Sequence, residues 1–146
     1  MEALQITTSE KRIPIIRDGQ EAGVLVFNPN DVTFAEKFYR LIGEFQQKLT
    51  EYRLRADVIE KIQAIDENNL PVNVGDRLTL QHEACVYIRE QIDALFGVDT
   101  SQKVFGSTLD LDLFPQFFNG ITPYIQAARN SRVERYSNKP IKRVKK

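Results

Sequence analysis

Chemistry in a short chain starts with its nucleophiles and bases, and here there is a single cysteine, Cys85, and a single histidine, His82. Three residues apart on a helix, they would stand one turn from each other, close enough for an imidazole to draw a proton from a thiol. Such a pair still needs a third group to orient the base and donors to hold an oxyanion, and neither is identifiable in the sequence. Cys85 also falls on an apolar stripe, where cysteine behaves as a small hydrophobe, so the expectation is a buried Cys85 and a surface His82. His82-Glu83 begins like a zinc-protease helix, but the second histidine would have to occupy the position of Val86. With only two soft ligands available, a four-ligand zinc site cannot be assembled. Asp110 and Asp112, like Asp66 and Glu67, lack the spaced oxygens and closing glutamate of a calcium loop and read as helix caps and solubility residues. Gly97 and Gly106 are not followed by the Lys-Ser/Thr pair of a phosphate loop. These residues predict no catalytic, metal or cofactor site, and hence a protein that is not an enzyme.

The elements that carry them can be read from periodicity. Residues 4–27 lack helical spacing, contain Pro14, and set Ile13, Ile15 and Ile16 against Val24, Leu25, Val26 and Phe27 across Asp18-Gly19. That pattern predicts an N-terminal β-hairpin, because Asp-Gly supplies the positive φ of a tight turn. A lone hairpin is marginal in water, so it must pack on helices or pair with another chain. After the turn signal at residues 28–31, Thr33 and Glu36 suit a capping box. Phe34, Phe38, Leu41, Phe45, Leu49, Tyr52, Ala56, Ile59 and Ile62 then recur in steps of three and four. This predicts an amphipathic helix of about 30 residues, roughly 45 Å long and longer than a compact domain of this size needs. Beyond a polar connector at residues 66–75, Leu78, Cys85, Ile88, Ile92 and Leu95 mark a second helix that returns along the first, with Gly97 in a left-handed cap. A short turn over residues 100–105 should close at Gly106. A helix capped by Asp112 with Pro115 in its first turn follows, and then a last helix that Thr122-Pro123 starts and that ends near Tyr136. The fold class is therefore mainly α: an N-terminal β-hairpin, a long antiparallel helical hairpin, shorter C-terminal helices and a disordered basic tail. Residues 1–136 make one domain and 137–146 the flexible tail.

A chain of 146 residues that is 42% hydrophobic and 27% charged can bury its own core without disulfides or metals. One cysteine, no basic-then-apolar leader and no long uncharged apolar run predict a protein of a reducing cytoplasm that does not span a membrane. The net charge is zero, yet from Arg129 onward eight Lys/Arg face one Glu, so that end carries +7 and residues 1–128 carry −7. Such a run is either a solvated terminus or a contact for nucleic acid or an acidic protein face. Aromatic residues gather between Phe96 and Tyr124. Some must close the core, but residues 111–118 hold more apolar bulk than a short helix buries on one side. Two readings stay open: all of these aromatics are core, or the excess makes Phe114, Phe117, Phe118 and Tyr124 a contact face for a partner helix.

Four segments resemble a known group: Phe27-Asn-Pro-Asn-Asp-Val-Thr-Phe-Ala-Glu-Lys-Phe, Tyr87-Ile-Arg-Glu-Gln-Ile-Asp-Ala-Leu-Phe-Gly, Thr100-Ser-Gln-Lys-Val-Phe-Gly and Phe117-Phe-Asn-Gly-Ile-Thr-Pro-Tyr-Ile. They are similar to short proteins from the tail modules of Gram-positive phages and prophages, among which are tail-assembly chaperones, over about residues 27–138. The resemblance implies a small helical protein of the host bacterial cytoplasm that binds the tape-measure protein before the tube polymerises, with the tail-tube protein as a further candidate partner. It brings no catalytic residues with it. Two rivals stay open. A structural tail or head-tail protein retained in the virion could use the hairpin to join sheets between subunits. A nucleic-acid binder could use the basic tail, Arg132, Arg135, Lys139, Lys142, Arg143, Lys145 and Lys146, with a steep salt dependence, although the acidic body would repel phosphate. An unpaired hairpin and a long helix also predict a homo-oligomer.

Overall fold

The computed structural model describes residues 2–62, 65 and 67–144, the side chains of residues 72 and 132–144 excepted. Strands β1 (Lys11–Arg17) and β2 (Gln20–Phe27) pair antiparallel, with Arg17 opposite Gln20. Asp18 (φ 53°) and Gly19 (φ 80°) both take positive φ, the mirror-image turn that matches strand twist and that the Asp-Gly pair predicts. The strands start at Lys11 rather than near Leu4, because Lys11 already lies opposite Phe27, the last residue of β2. Residues 2–10 have no regular structure and are exposed. Between Ile15 and Ile16 the register slips: Ile15 pairs with Gly23 and Ile16 with Glu21, so Ala22 is the extra residue of a bulge. Gly23 sits at φ 146°, and a Cβ there would come within 3.2 Å of the Lys103 side chain. Ile13, Ile15, Leu25 and Phe27 turn one face of the hairpin to the core.

Helix α1 (Val32–Glu60) has 29 residues, as its apolar period predicts. Its cap is Asp31, whose side chain accepts from the amides of Thr33 (3.0 Å) and Phe34 (3.4 Å). Thr33 is already inside the first turn, so the expected Thr33/Glu36 box does not form; the turn at 28–31 delivers a better-placed carboxylate one residue before the helix. Helix α2 (Val72–Phe96) returns antiparallel to α1. Gln81 donates to the Tyr52 hydroxyl (2.7 Å), and Arg77–Glu60 (2.8 Å) and Arg55–Glu83 (3.6 Å) bridge the two helices on the surface. Gly97 ends α2 at φ 120°, ψ 156°, a positive-φ but extended conformation rather than the expected left-handed one. The left-handed residue is Asp99, at the start of α3 (Thr100–Phe105), which closes at Gly106.

Helix α4 (Leu113–Val144) is one element where the sequence suggests two helices and a loose tail. Thr122 and Pro123 lie inside it, and the Thr122 hydroxyl donates back to the Phe118 carbonyl (2.7 Å) instead of capping a new helix. A proline in a helix interior costs about 3 kcal/mol. Phe114, Phe117, Phe118, Ile121 and Ile125 form one buried stripe that crosses the proline, and burying it holds both halves in line. The helix also runs through residues 137–144, read from sequence as a flexible tail, while Lys145 and Lys146 lie outside the described residues.

Core residues come from β2 and all four helices, with Ile13 and Ile15 of β1 packed against them. Phe38, Ile88, Ile92 and Ile125 are wholly buried, and Phe45, Phe105, Phe114, Phe117 and Phe118 surround them. The rings meet mostly edge to face, as in Phe105–Phe114 (5.1 Å) and Phe96–Phe117 (5.2 Å), the arrangement that ring quadrupoles favour. None of the described helices is long and apolar enough to cross a membrane.

Candidate interaction surface

The aromatic residues singled out from sequence as a contact face are mostly core. Phe114, Phe117 and Phe118 are buried, and Phe114 is 1% exposed. Only Tyr124 reaches solvent, at 37%, with its ring edge on Phe27 (5.7 Å). A short helix with one buried side would have left them in excess. The real α4 is long and lies where α1, α3, the end of α2 and the β-hairpin converge, so the apolar excess is used internally.

His82 is exposed and Cys85 is 1% exposed, as their positions predict. Burial pushes the Cys85 thiol above its ordinary value of 9.0, the Asp110 carboxylate raises it further, and Arg89 opposes both. A thiol kept protonated by the fold is a poor nucleophile. Native Cys85 is therefore expected to react with a disulfide reagent only as fast as the protein opens, and a rate equal to that of a free thiol would contradict its burial. The sign for stability follows from the raised value. The unfolded chain loses this proton more readily, so Cys85 contributes stability below about pH 9 that is lost as pH rises through its folded value. Among the described residues no group of His, Cys, Asp and Glu could hold a metal ion.

The corner between α2 and α3 is held by polar contacts. Asp93 accepts from the Ser101 amide (2.7 Å) and hydroxyl (2.8 Å), and Thr100 and Ser101 are buried. Arg17 Nη1 donates to the Lys103 carbonyl (2.6 Å), tying the hairpin to the end of α3. Asp93→Ala leaves the Ser101 donors unmet and is expected to cost about 1–3 kcal/mol, read as a lower denaturation midpoint; no change would mean that water replaces the carboxylate.

The unpartnered surface lies elsewhere, at the tip of the helical hairpin. Leu54, Val58, Ile62, Ile65, Val74 and Leu78 are each between 43% and 64% exposed. On α1, Leu54 and Val58 sit four apart on the side opposite the buried Ala56, about 160° around the helix. On α2 the row Val74, Leu78, Gln81, Cys85, Ile88, Ile92, Leu95 alternates steps of four and three, the spacing of a helix-packing seam. From Cys85 to Leu95 this seam belongs to the core or packs against it; Val74 and Leu78 continue it into solvent. Where the cover stops there is a cleft of about 710 Å³, lined by Leu49, Tyr52, Arg53, Gln81, Cys85 and the 108–112 loop. Scattered exposed apolar residues are ordinary, but Val74 and Leu78 continue a seam that the core fills further along the same helix. The signal was present in the sequence as apolar residues off the main stripe, Leu54 and Val58, which a search for the stripe alone passes over.

The basic positions Arg132, Arg135, Lys139, Lys142 and Arg143 lie on the backbone of α4, but their side chains, with Lys145 and Lys146, fall outside the described residues. Upstream, Arg129 Nη2 donates to the Pro29 carbonyl (3.1 Å), the last described anchor of α4 on the body.

Residues 21–146 match the model of a family of unknown function, DUF6673, and the chain belongs to that family. No curated protein and no solved structure matches it.

Proposed function

We propose that this family member is a non-catalytic assembly factor that binds a partner helix at its hairpin tip, as a phage tail-assembly chaperone that shields the tape-measure protein before the tail tube polymerises. The observation that carries the reading is the seam of α2, capped by the protein's own core up to Cys85 and open at Val74 and Leu78. A helix laid in that open groove would complete a three-helix bundle and remove apolar stripes on both partners from water. Tape-measure proteins are long helices with such stripes, and the four segments resembling tail-module proteins supply the biological setting, the cytoplasm of an infected bacterium. Shielding would keep the tape measure from aggregating until tube subunits displace the chaperone. The surface assigned to this work is the hairpin tip, in place of Phe114, Phe117 and Phe118.

The test is a pull-down of the tagged chain from cells expressing neighbouring tail genes, with partners identified by mass. Recovery of the tape-measure protein is the expected result. Recovery of tube or connector subunits alone, with the chain persisting in purified virions, would make it a structural component instead.

A further inference from the structure

The hairpin tip has a second potential occupant inside the same chain sequence. As α4 advances, its contacts step backward along α1: Phe114 meets Phe45 (5.7 Å), Phe118 meets Phe38 (6.0 Å), Tyr124 meets Phe27 (5.7 Å), and Arg129 reaches Pro29 (3.1 Å). Helix α4 therefore runs away from the tip, which stands at the opposite end of α1, and continues to Val144. From Val32 to Leu54 alone, α1 separates the two ends by roughly 33 Å.

These poles are unlike in charge. From Leu54 to Leu78 the tip sequence holds five carboxylates, Asp57, Glu60, Asp66, Glu67 and Asp76, against three cations, Arg55, Lys61 and Arg77. The two arginines are themselves paired, with Glu83 and Glu60. Residues 129–146 carry eight cations against one acid and include Val133, Tyr136, Ile141 and Val144. One end is a basic helix with apolar residues, and the other exposes apolar side chains among carboxylates, with Val74 and Leu78 continuing the seam that the core fills further along α2.

We propose that the basic C-terminal end of α4 from one copy docks in the apolar, acidic hairpin tip of the next. Because the two surfaces are different and sit at opposite ends, the contact is head to tail and generates a ring or a filament rather than a closed symmetric pair. This contact stands whether or not the tape measure is the external partner, which would compete for the same groove.

Two full-length variants test it by light scattering after gel filtration. One carries Val74→Glu and Leu78→Glu; the other carries Lys139→Glu, Lys142→Glu and Arg143→Glu. The unaltered chain is expected to form assemblies larger than a dimer, with an apparent dissociation constant that rises at least about tenfold between about 50 and about 500 mM salt. Each variant alone is expected to be monomeric with an unchanged melting temperature, and a mixture of the two is expected to form a 1:1 pair and nothing larger. Self-association of the charge-reversed variant would overturn the proposal in favour of tip-to-tip dimers. An unaltered chain that stays monomeric up to about 100 μM, or whose assemblies dissolve on nuclease treatment, would overturn it as well. A monomeric chain that still captures the tape measure would defeat this contact and leave the proposed function standing.

Discussion

Phe114→Ala is expected to cost about 3–5 kcal/mol and to lower the melting temperature by on the order of 10 °C. The ring is 1% exposed and lies edge-on to both Phe45 and Phe105, at the point where α1, α3 and the first turn of α4 meet. Truncation removes the transfer free energy of the ring and opens a void whose walls belong to three elements and cannot all close in. Binding by such a variant would fall only in proportion to the folded fraction. Tyr124→Ala, at a half-open position, is expected to cost less than half as much. A Phe114→Ala protein that keeps its melting temperature yet loses its partner would instead restore the aromatic face as a docking site.

The double change Val74→Glu and Leu78→Glu is expected to do the converse. Both side chains are at least half exposed in the free protein, so the fold has little to lose, and surface substitutions of this kind usually stay within about 0.5 kcal/mol. A docking helix that covers them gains about 1.5–3 kcal/mol for each side chain fully buried. Replacing them forfeits that gain and adds carboxylates that must be desolvated, so tape-measure affinity is expected to fall at least about a hundredfold, a change of about 2.7 kcal/mol. Titration calorimetry with a soluble tape-measure fragment reads this directly. Unchanged affinity would remove the tip from the interface.

The outline of the fold was legible where local rules decide it. Asp18-Gly19 fixes the hairpin because few other pairs take positive φ at both turn positions, and the eight apolar positions from Phe34 to Ile59 fix a helix that needs no partner to be recognised. Long-range packing decided the rest. Thr122-Pro123 has the same grammar at a helix start and inside a helix, and only the stripe from Phe114 to Ile125, buried as one surface, selects the second. Burial also reversed the reading of the aromatic residues. Their excess over one face of a short helix is real, but the faces that absorb it come from α1, α2, α3 and the hairpin, up to eighty residues or more away in sequence. The open part of the seam is hidden for the opposite reason: Val74 and Leu78 carry the same period as Cys85, Ile88 and Ile92, and periodicity does not show where along a stripe the cover stops.

The central claim is that the hairpin tip, not the aromatic cluster, meets the partner. Hydrogen exchange of the full chain, free and with the tape-measure protein, tests it most directly. Amides of residues 54–62 and 74–84 are expected to slow on binding while those of residues 114–125, already protected in the core, stay as they are. Slowing confined to residues 114–125, with the tip exchanging as in the free protein, would contradict the account.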